Sequence, residues 1–240
     1  MDAFQSLENT EIGNLIKTDH QLKKIKKAEI TPTVDGEMND PAWQEVSWNL
    51  MDQNWIGDYP NPEDYFGRYK LTWTPEALYV LVEVRDDVLF DQYKDPFTLW
   101  WDDDCVEIFI DADNSGGEHQ YNNNAFAYHI ALDGNVIDLD SNKNPVLLNH
   151  HVTTKKATFN NISVWEHEVL IFPDTYTEEQ IIDPLVLSSG HKIGFAIAYN
   201  DNDGSKEREN MMGSVFVPGE DKNQGWINAD IFGTLLLVDD

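Results

Sequence analysis

The sequence predicts an all-β protein, an antiparallel β-sandwich that forms one domain with an N-terminal extension. Apolar and polar residues alternate in many short segments, which is the period of strands with one face in a core. Turn sequences separate these segments, and no long helical pattern interrupts them. Residues 28–240 are therefore assigned to the sandwich. Residues 1–27 are rich in lysine and loosely helix-like in spacing, and they are assigned to the extension.

The predicted elements follow one another from residue 33 onward. A turn at 33–36 precedes a helical turn at 40–43, where Pro41 takes the first helical position. Alternating patterns then predict strands at 68–73, 78–85, 127–132, 164–172, 193–199 and 233–238. A turn at 74–76 joins the first two of these strands as a hairpin, and Asp133-Gly134 has the chemistry of a second hairpin turn. Roughly ten strands are expected in all.

Composition restricts the class of protein and of partner. A chain of 240 residues that is 41% hydrophobic can bury a full core and is not disordered. The formal charge of −28, from 44 acids against 16 bases, excludes nucleic acid and anionic membranes as partners, because phosphates would be repelled. This acidity suits a neutral partner such as carbohydrate and favours Ca²⁺. Simple solubility accounts for it equally well.

Other features of the chain limit its chemistry and location. Cys105 is the only cysteine, which excludes an intrachain disulfide and a cysteine-based zinc site. No stretch of about 18 apolar residues predicts a membrane span. Residues 1–6 lack the pattern of a signal peptide, so we expect a protein inside the cell, or one secreted to the periplasm or exterior after a signal was removed. We expect a monomer.

Residues 100–111 are the most informative segment. Trp100 and Trp101 precede three aspartates at 102–104, and a strand pattern follows at 105–111. If the two tryptophans lie in an extended segment, they point in opposite directions, so we expect one of them to pack inward. Glu107 lies on the face opposite Val106 and its apolar partners, close to an indole. An aromatic plane beside a carboxylate suits a sugar ring, which has an apolar face and hydroxyls on its edge. The alternative is that the tryptophans cover a core and the aspartates form a solvated loop.

Several blocks, in this order, resemble carbohydrate-binding module family 9, within the wider group of DOMON-like sandwiches of immunoglobulin-like form. They are Val34-Asp35-Gly36-Glu37 with Pro41-Ala42-Trp43, Leu78-Tyr79-Val80 with Arg85-Asp86-Asp87, Trp101 with residues 104–111, Gly194-Phe195 with Asn200-Asp201, and Asn223-Gln224-Gly225-Trp226 with Phe232-Gly233. The resemblance covers about residues 28–240. It implies non-catalytic binding of one sugar unit, typically at the end of a glucan- or xylan-like chain, between two tryptophans.

The resemblance also assigns the candidate site. Trp101 and Trp226 match the two tryptophans, Glu107 the acidic contact, and Asn223 an amide contact. The family's basic contact, commonly an arginine, falls near His129. Histidine is shorter than arginine and mostly neutral at pH 7, so it cannot make a bidentate charged contact. This departure concerns the sugar specificity and not the fold.

Family members often carry structural calcium, and the chain offers many hard oxygen ligands for it. The candidate ligands are Asp86, Asp87, Asp201, Asp203 and Glu37. No segment has the spacing of an EF-hand loop, and each cluster could equally be a solvated turn.

Other function classes receive less support. Asp102, Asp103, Asp104 and Glu107 could supply the carboxylates of a glycosidase, but an acidic loop explains them better. His167 is expected to be a solvated strand residue. The main alternative function is haem binding for electron transfer, through Met211 or Met212 with His129. A structural or protein-binding sandwich is a third hypothesis.

Overall fold

The computed structural model describes residues 20–239. Within these residues the chain folds into short strands joined by loops, with one short α-helix and one 3₁₀ helix. The strands are β1 (Lys23–Lys26), β2 (Asn49–Leu50), β3 (Gln53–Ile56), β4 (Tyr65–Trp73), β5 (Leu78–Asp86), β6 (Cys105–Asp111), β7 (Phe126–Ala131), β8 (Val136–Leu139), β9 (Pro145–Leu147), β10 (Val152–Phe159), β11 (Ile162–Val169), β12 (Lys192–Asp201), β13 (Asn210–Gly213) and β14 (Gly233–Val238). Helix α1 is Pro41–Gln44, and the 3₁₀ helix is Ala229–Ile231.

Two sheets face each other. The larger has nine strands in the order β1-β14-β12-β6-β7-β8-β9, with β13 pairing to both β12 and β3. The smaller has five strands in the order β10-β11-β5-β4-β2. Neighbouring strands are antiparallel except β1, which runs parallel to β14. The predicted antiparallel sandwich is confirmed.

The elements predicted from long alternating patterns are present, whereas the eight-residue strand β10 and the shortest strands were not predicted. The hairpin β4–β5, the helical turn at Pro41 and the Asp133-Gly134 turn between β7 and β8 form as expected. Strands β2, β3, β8, β9 and β13 have two to four residues each, too few for a pattern to be visible. No helix within residues 20–239 has the length and apolar character needed to cross a membrane.

The end of the predicted N-terminal extension belongs to the larger sheet. Ile25 of β1 is buried and packs into the main core, while Lys23 donates to the hydroxyl of Tyr69. These residues form a strand and not the helix that their spacing suggested. The boundary at residue 28 stays a prediction, and residues 1–19 lie outside the described part.

The main core fills the space between the sheets. Trp43, Trp73 and Trp165 are all buried. The expectation of a solvated His167 was wrong, because its side of β11 faces the core together with Trp165 and Val169. Burial lowers the pKa of His167 to about 3. A polar residue within an alternating strand was taken to face water, but this histidine takes an inward position.

A second apolar cluster covers the outer face of the larger sheet. We call it the outer cluster; it includes Trp55, Phe109, Met211, Val215, Phe232 and several alanines. Phe109 alternates with Ile108 and Ile110, which point into the main core. Strand β6 is therefore buried on both faces, which explains why all seven of its residues are buried.

Glu166 fixes the segment that covers the outer face of the smaller sheet. Its carboxylate is buried and accepts hydrogen bonds from the indole Nε1 of Trp43 at 2.8 Å and from the backbone N–H groups of Asp35 and Gly36, both at 2.9 Å. One side chain therefore holds both the predicted turn at 33–36 and helix α1 against β11.

Glu166→Ala is expected to lower the free energy of unfolding by about 2–4 kcal/mol, because three donors lose their acceptor in a buried place. Denaturant titration measures this. Glu168→Ala is the matched control on the same face of the same strand, because Glu168 accepts one hydrogen bond, from Tyr79. It should cost about 1 kcal/mol. Equal losses in the two variants would contradict the anchoring role of Glu166.

Candidate functional site

A cavity of about 470 Å³ lies on the outer face of the larger sheet. All five predicted site residues line it: Trp101, Glu107, His129, Asn223 and Trp226. The chain segments that carry them are far apart in sequence, and the fold brings them together at one place. The cavity has further lining residues that the sequence analysis did not assign to the site, including Phe97, Trp100, Asp138, Lys143 and Arg208.

Small side chains form the floor of this cavity. Glu107 of β6 lies directly opposite His129 of β7 and Ala198 of β12. Ala127 of β7 also lines the cavity. Because alanines flank Glu107 on these strands, no large residue of the sheet covers its carboxylate. A side chain from a loop above the sheet can therefore reach it.

The carboxylate of Glu107 collects three donors. Its Oε1 atom lies 3.0 Å from Nε2 of His129, 3.0 Å from Nη1 of Arg208 and 2.5 Å from Nδ2 of Asn200. Nδ1 of His129 is 3.2 Å from the carbonyl oxygen of Ala127. Both ring nitrogens of the histidine therefore face oxygen atoms that can accept a hydrogen bond.

These contacts keep Glu107 ionised although it is buried. Burial on its own would raise the pKa of this carboxyl, but His129, Arg208 and Asn200 outweigh burial and lower the pKa to about 2. The site therefore contains a fixed negative charge that is paired with the guanidinium of Arg208. Such a group can accept charge-assisted hydrogen bonds from hydroxyls.

Arg208 supplies the basic side chain whose absence was noted in the sequence. It comes from the loop 202–209 between β12 and β13 and not from the strand after Glu107. Its backbone N–H donates to Oδ1 of Asp102 at 3.2 Å, which ties this loop to the loop before β6. The sequence feature that could have drawn attention to Arg208 is the rarity of arginine, because the chain contains only three.

The three aspartates before β6 are buried and do not form a solvated loop. Asp103 accepts from the backbone N–H groups of Gln92 and Tyr93, and Asp104 from those of Phe90 and Asn202. Asp102 accepts from Arg208 as described. Their carboxylates hold two loops together, which supports the expectation that they are not a glycosidase pair.

Trp100 and Trp101 both line the cavity, although the sequence analysis expected one of them to pack inward. Their rings meet edge to face, with centroids 4.7 Å apart. The expectation of opposite directions assumed an extended segment, but the chain turns at both residues. Trp100 also meets the ring of His129 edge-on at 6.3 Å.

Trp226 is half-buried, although a polar sequence with one glycine precedes it. It packs in part against the outer cluster and also lines the cavity. The preceding Gly225 lies so close to Phe109 that an added Cβ would be 2.8 Å from the ring. Only glycine allows this approach without a shift. The packing of Gly225 on Phe109 therefore sets the position of the indole that follows.

Asp138 places a second carboxylate at the cavity. It is partly exposed and accepts from the backbone N–H groups of Ala127 at 2.8 Å and Leu139 at 2.7 Å. Burial raises its pKa to about 7, against the effect of these hydrogen bonds and of His129. Asp138 follows the Asp133-Gly134 turn on β8, a strand too short to be seen in the sequence.

The candidate calcium ligands separate into two groups. Asp86 and Asp201 lie with Asp104 in a buried group, and the carboxylate oxygens of the three lie within 4.8 Å of one another. Asp87 and Asp203 join Asp64 in a second, more exposed group. Glu37 belongs to neither group among residues 20–239; it is exposed and accepts from Nδ2 of Asn39. The sequence analysis did not include Asp64 or Asp104 among the candidate calcium ligands.

The structure does not favour the haem hypothesis. Met211 packs in the outer cluster and Met212 in the main core, both fully buried. His129, the third residue of that hypothesis, uses Nε2 to contact Glu107. The methionines therefore serve packing, and the histidine belongs to the cavity.

Comparison with known proteins gives a consistent result. A family profile described as "Carbohydrate family 9 binding domain-like" matches residues 34–240. The chain is 24% identical over 234 residues to endo-1,4-beta-xylanase C of Paenibacillus barcinonensis, which is 98% of this chain and 19% of that protein. It is 32% identical over 87 residues to endo-1,4-beta-xylanase A of Thermotoga neapolitana. The chain thus spans less than a fifth of the length of these relatives.

Similar solved structures share the fold. A family 9 carbohydrate-binding module from Caldicellulosiruptor kristjanssonii in complex with cellotriose superposes with a TM-score of 0.66 at 22% identity, covering 91% of this chain and 95% of that one. A family 9 module from the same organism in complex with glucose superposes with a TM-score of 0.65 at 22% identity, covering 91% of this chain and 97% of that one. A putative carbohydrate-binding protein from Bacteroides uniformis gives 0.54 at 13% identity, covering 90% and 99%.

Glu107→Gln is expected to lower the free energy of unfolding by about 3–5 kcal/mol near neutral pH, because Arg208 and His129 lose the charge they pair with. The pKa of about 2 lies below the ordinary 4.5. The ion pairs therefore stabilise the wild type above about pH 4.5, and this contribution disappears as the pH falls toward 2. Denaturant titrations across this range measure the effect.

The exposed Glu45 gives the control for that experiment. Glu45→Gln should leave the stability within about 0.5 kcal/mol of the wild type at every pH. If the difference in the free energy of unfolding between the wild type and Glu107→Gln does not change with pH, the assigned ionisation of Glu107 is contradicted.

Proposed function

The chain belongs to the carbohydrate family 9 binding domain-like family, and from this premise we propose that it binds carbohydrate without catalysis. It holds a terminal sugar of a glucan- or xylan-like chain between Trp101 and Trp226. The observation that carries this proposal is the common cavity of Trp101, Glu107, His129, Asn223 and Trp226. These residues come from two loops and two strands, and packing alone does not require them to line one cavity.

The chemistry of the cavity matches a pyranose. The C–H faces of the ring are apolar and pack on indole planes, and two rigid tryptophans lose little conformational entropy. The hydroxyls on the ring edge require polar partners. Glu107, Arg208 and Asn223 offer an acceptor and donors at the cavity, and hydrogen bonds to charged groups contribute about 1.5–3 kcal/mol each.

Relatives support the class of ligand. The similar modules from Caldicellulosiruptor kristjanssonii carry cellotriose and glucose, and two related proteins are endo-1,4-beta-xylanases. A glucan- or xylan-like ligand is consistent with both. Two stacking contacts and a few hydrogen bonds, less the cost of association, suggest a Kd on the order of 1 μM to 1 mM.

The contacts of the carboxylates support the absence of catalysis. A glycosidase needs one carboxyl to donate a proton and another to act as base or nucleophile. Glu107 is buried, ionised and held by three donors, and the 102–104 aspartates bind loop backbone. Asp138 is the remaining carboxyl at the cavity, and both of its oxygens accept backbone N–H groups.

We also propose that the buried acidic group of Asp86, Asp104 and Asp201 holds a structural calcium ion. The fit rests on Oδ1 of Asp201, which is buried and has no hydrogen-bond partner. Carboxylate oxygens are the ligands that Ca²⁺ prefers. Burial and mutual repulsion raise the pKa of Asp104 to about 9 and of Asp201 to about 8. A bound divalent cation would offset this repulsion.

Calorimetry with glucose, xylose, cellobiose and xylobiose tests the sugar proposal, and at least one of them should bind in the stated range. Trp226→Ala should weaken that binding by about 2 kcal/mol or more, as at a recognition hot spot, with little loss of stability. Trp48→Ala is the matched control, since Trp48 is also half-buried but stacks on Arg68 outside the cavity. Equal effects of the two substitutions, or hydrolysis of the sugars, would argue against the proposal.

Calcium removal tests the metal proposal. Exhaustive chelation should lower the melting temperature by roughly 5–10 °C, and added Ca²⁺ should restore it, because the ion binds only the native state. Asp201→Asn should abolish this response. Glu37→Gln should keep it, since Glu37 lies outside both acidic groups. A melting curve that chelation leaves unchanged would rule out a structural role for calcium.

A further inference from the structure

The loop that carries Trp226 is attached to a second loop of the outer face. We call residues 223–228 the Trp226 loop, and residues 112–125 the β6–β7 loop. The two are antiparallel neighbours, and the backbone N–H of His119 donates to the carbonyl oxygen of Ile227 at 2.8 Å. This hydrogen bond holds the chain on the C-terminal side of Trp226.

The side chain of His119 holds the chain on the other side. Its Nε2 atom lies 2.8 Å from the carbonyl oxygen of Gly225, the residue before Trp226. A carbonyl oxygen can only accept a hydrogen bond, so Nε2 carries the hydrogen. Burial lowers the pKa of His119 to about 4, although the carbonyl groups of Gly225 and Ala125 raise it. The ring is therefore neutral near pH 7.

His119 itself lies away from the ligand. It is 4% exposed and does not line the cavity. Its ring packs against that of Phe232, with centroids 5.6 Å apart, and Phe232 packs in turn on Phe109, the ring that Gly225 approaches closely. His119 can therefore affect a bound ligand only through the position of the Trp226 loop.

Internal hydrogen bonds give the Trp226 loop its shape. The backbone N–H groups of Ile227 and Asn228 both donate to the carbonyl oxygen of Gln224, at 3.0 and 2.9 Å. These bonds do not attach the loop to its surroundings. The packing of Gly225 on the outer cluster is apolar and non-directional, whereas a hydrogen bond has a preferred direction. The contacts with His119 therefore attach the loop in one orientation.

We propose that His119 is a positioning residue of the sugar-binding site. It holds the indole of Trp226 at the cavity through hydrogen bonds to the carbonyl groups of Gly225 and Ile227, one on each side of the indole. An indole that is already fixed loses less freedom when a sugar stacks on it, so the attachment strengthens binding. This inference rests on the proposed function and adds to the site a residue that the sugar does not touch.

His119→Gln and His119→Met form a matched pair, because the two side chains have similar length and only glutamine can donate to Gly225. Calorimetry uses whichever of glucose, xylose, cellobiose and xylobiose binds the wild type best. His119→Gln should keep Kd within about twofold of the wild type, and His119→Met should raise it about fivefold or more. His191→Met is the control, because Nε2 of His191 lies 2.9 Å from the carbonyl oxygen of Ala112, away from the cavity. It should leave Kd within about twofold.

The indole N–H resonances in a heteronuclear NMR spectrum provide a measurement that a general loss of stability does not change. The chain has eight tryptophans, and the resonance that disappears in Trp226→Ala identifies Trp226. In the free protein, His119→Met should shift or broaden this resonance more than those of the other tryptophans. His119→Gln should leave it close to its position in the wild type.

The outcomes separate this inference from the proposed function. Equal Kd values for the wild type, His119→Gln and His119→Met overturn the positioning role and leave the proposed function standing. Equal losses of affinity in the two variants also overturn it, because the ring and not the hydrogen bond would then matter. A weaker His119→Met with an unchanged Trp226 resonance overturns it as well, since the effect would not pass through the indole.

A folding defect is distinguished in the same way. If His119→Met does not fold, His119→Phe replaces it, because phenylalanine keeps a ring and also lacks the donor. Loss of the fold in both variants would make His119 a residue of the core and overturn the positioning role. Failure of every sugar to bind the wild type overturns the proposed function, and this inference with it.

Discussion

The site depends on one buried carboxylate. Oε1 of Glu107 joins the central strand β6 to His129 on β7, to Asn200 on β12 and to Arg208 on the loop 202–209. A buried charge is unfavourable unless it is paired and hydrogen-bonded, so these four elements are held in one arrangement by the requirement to satisfy it. The polar lining of the cavity is thus organised before any ligand arrives, which reduces the cost of binding.

Burial of β6 on both faces makes that arrangement possible. Ile108 and its neighbours pack into the main core, while Phe109 packs in the outer cluster with Trp55 and Phe232. The loop that carries Trp226 lies over this cluster, and Gly225 permits its close approach to Phe109. Apolar packing on the outer face therefore sets the position of the second indole, and Glu107 organises the polar groups near it.

The acidic residues of this chain have more than one physical role. Asp103 and Asp104 accept backbone N–H groups and fix the loop that carries Trp100 and Trp101. The same Asp104 belongs to the buried group with Asp86 and Asp201, so the proposed metal and the ligand-binding loop share a residue. A cation bound to this group would contact Asp104 and so stabilise the loop that carries Trp100 and Trp101. The high net negative charge is thus partly structural and not only a means of solubility.

The sequence by itself determined the sandwich and most of its long strands, and it singled out five residues that the tertiary structure places around one cavity. Alternation over seven or more residues specifies a strand and its buried face, as at β5 and β6, and an ordered series of short motifs identifies a family. Only the tertiary structure decided which side chains complete the site. Arg208, Asp138 and the direction of Trp100 depend on how loops and two- to four-residue strands pack. Asp102 is buried where its own loop meets the loop 202–209, and His167 is buried because its side of β11 faces the core. Local sequence pattern does not reveal such contacts, because they join residues that are distant along the chain.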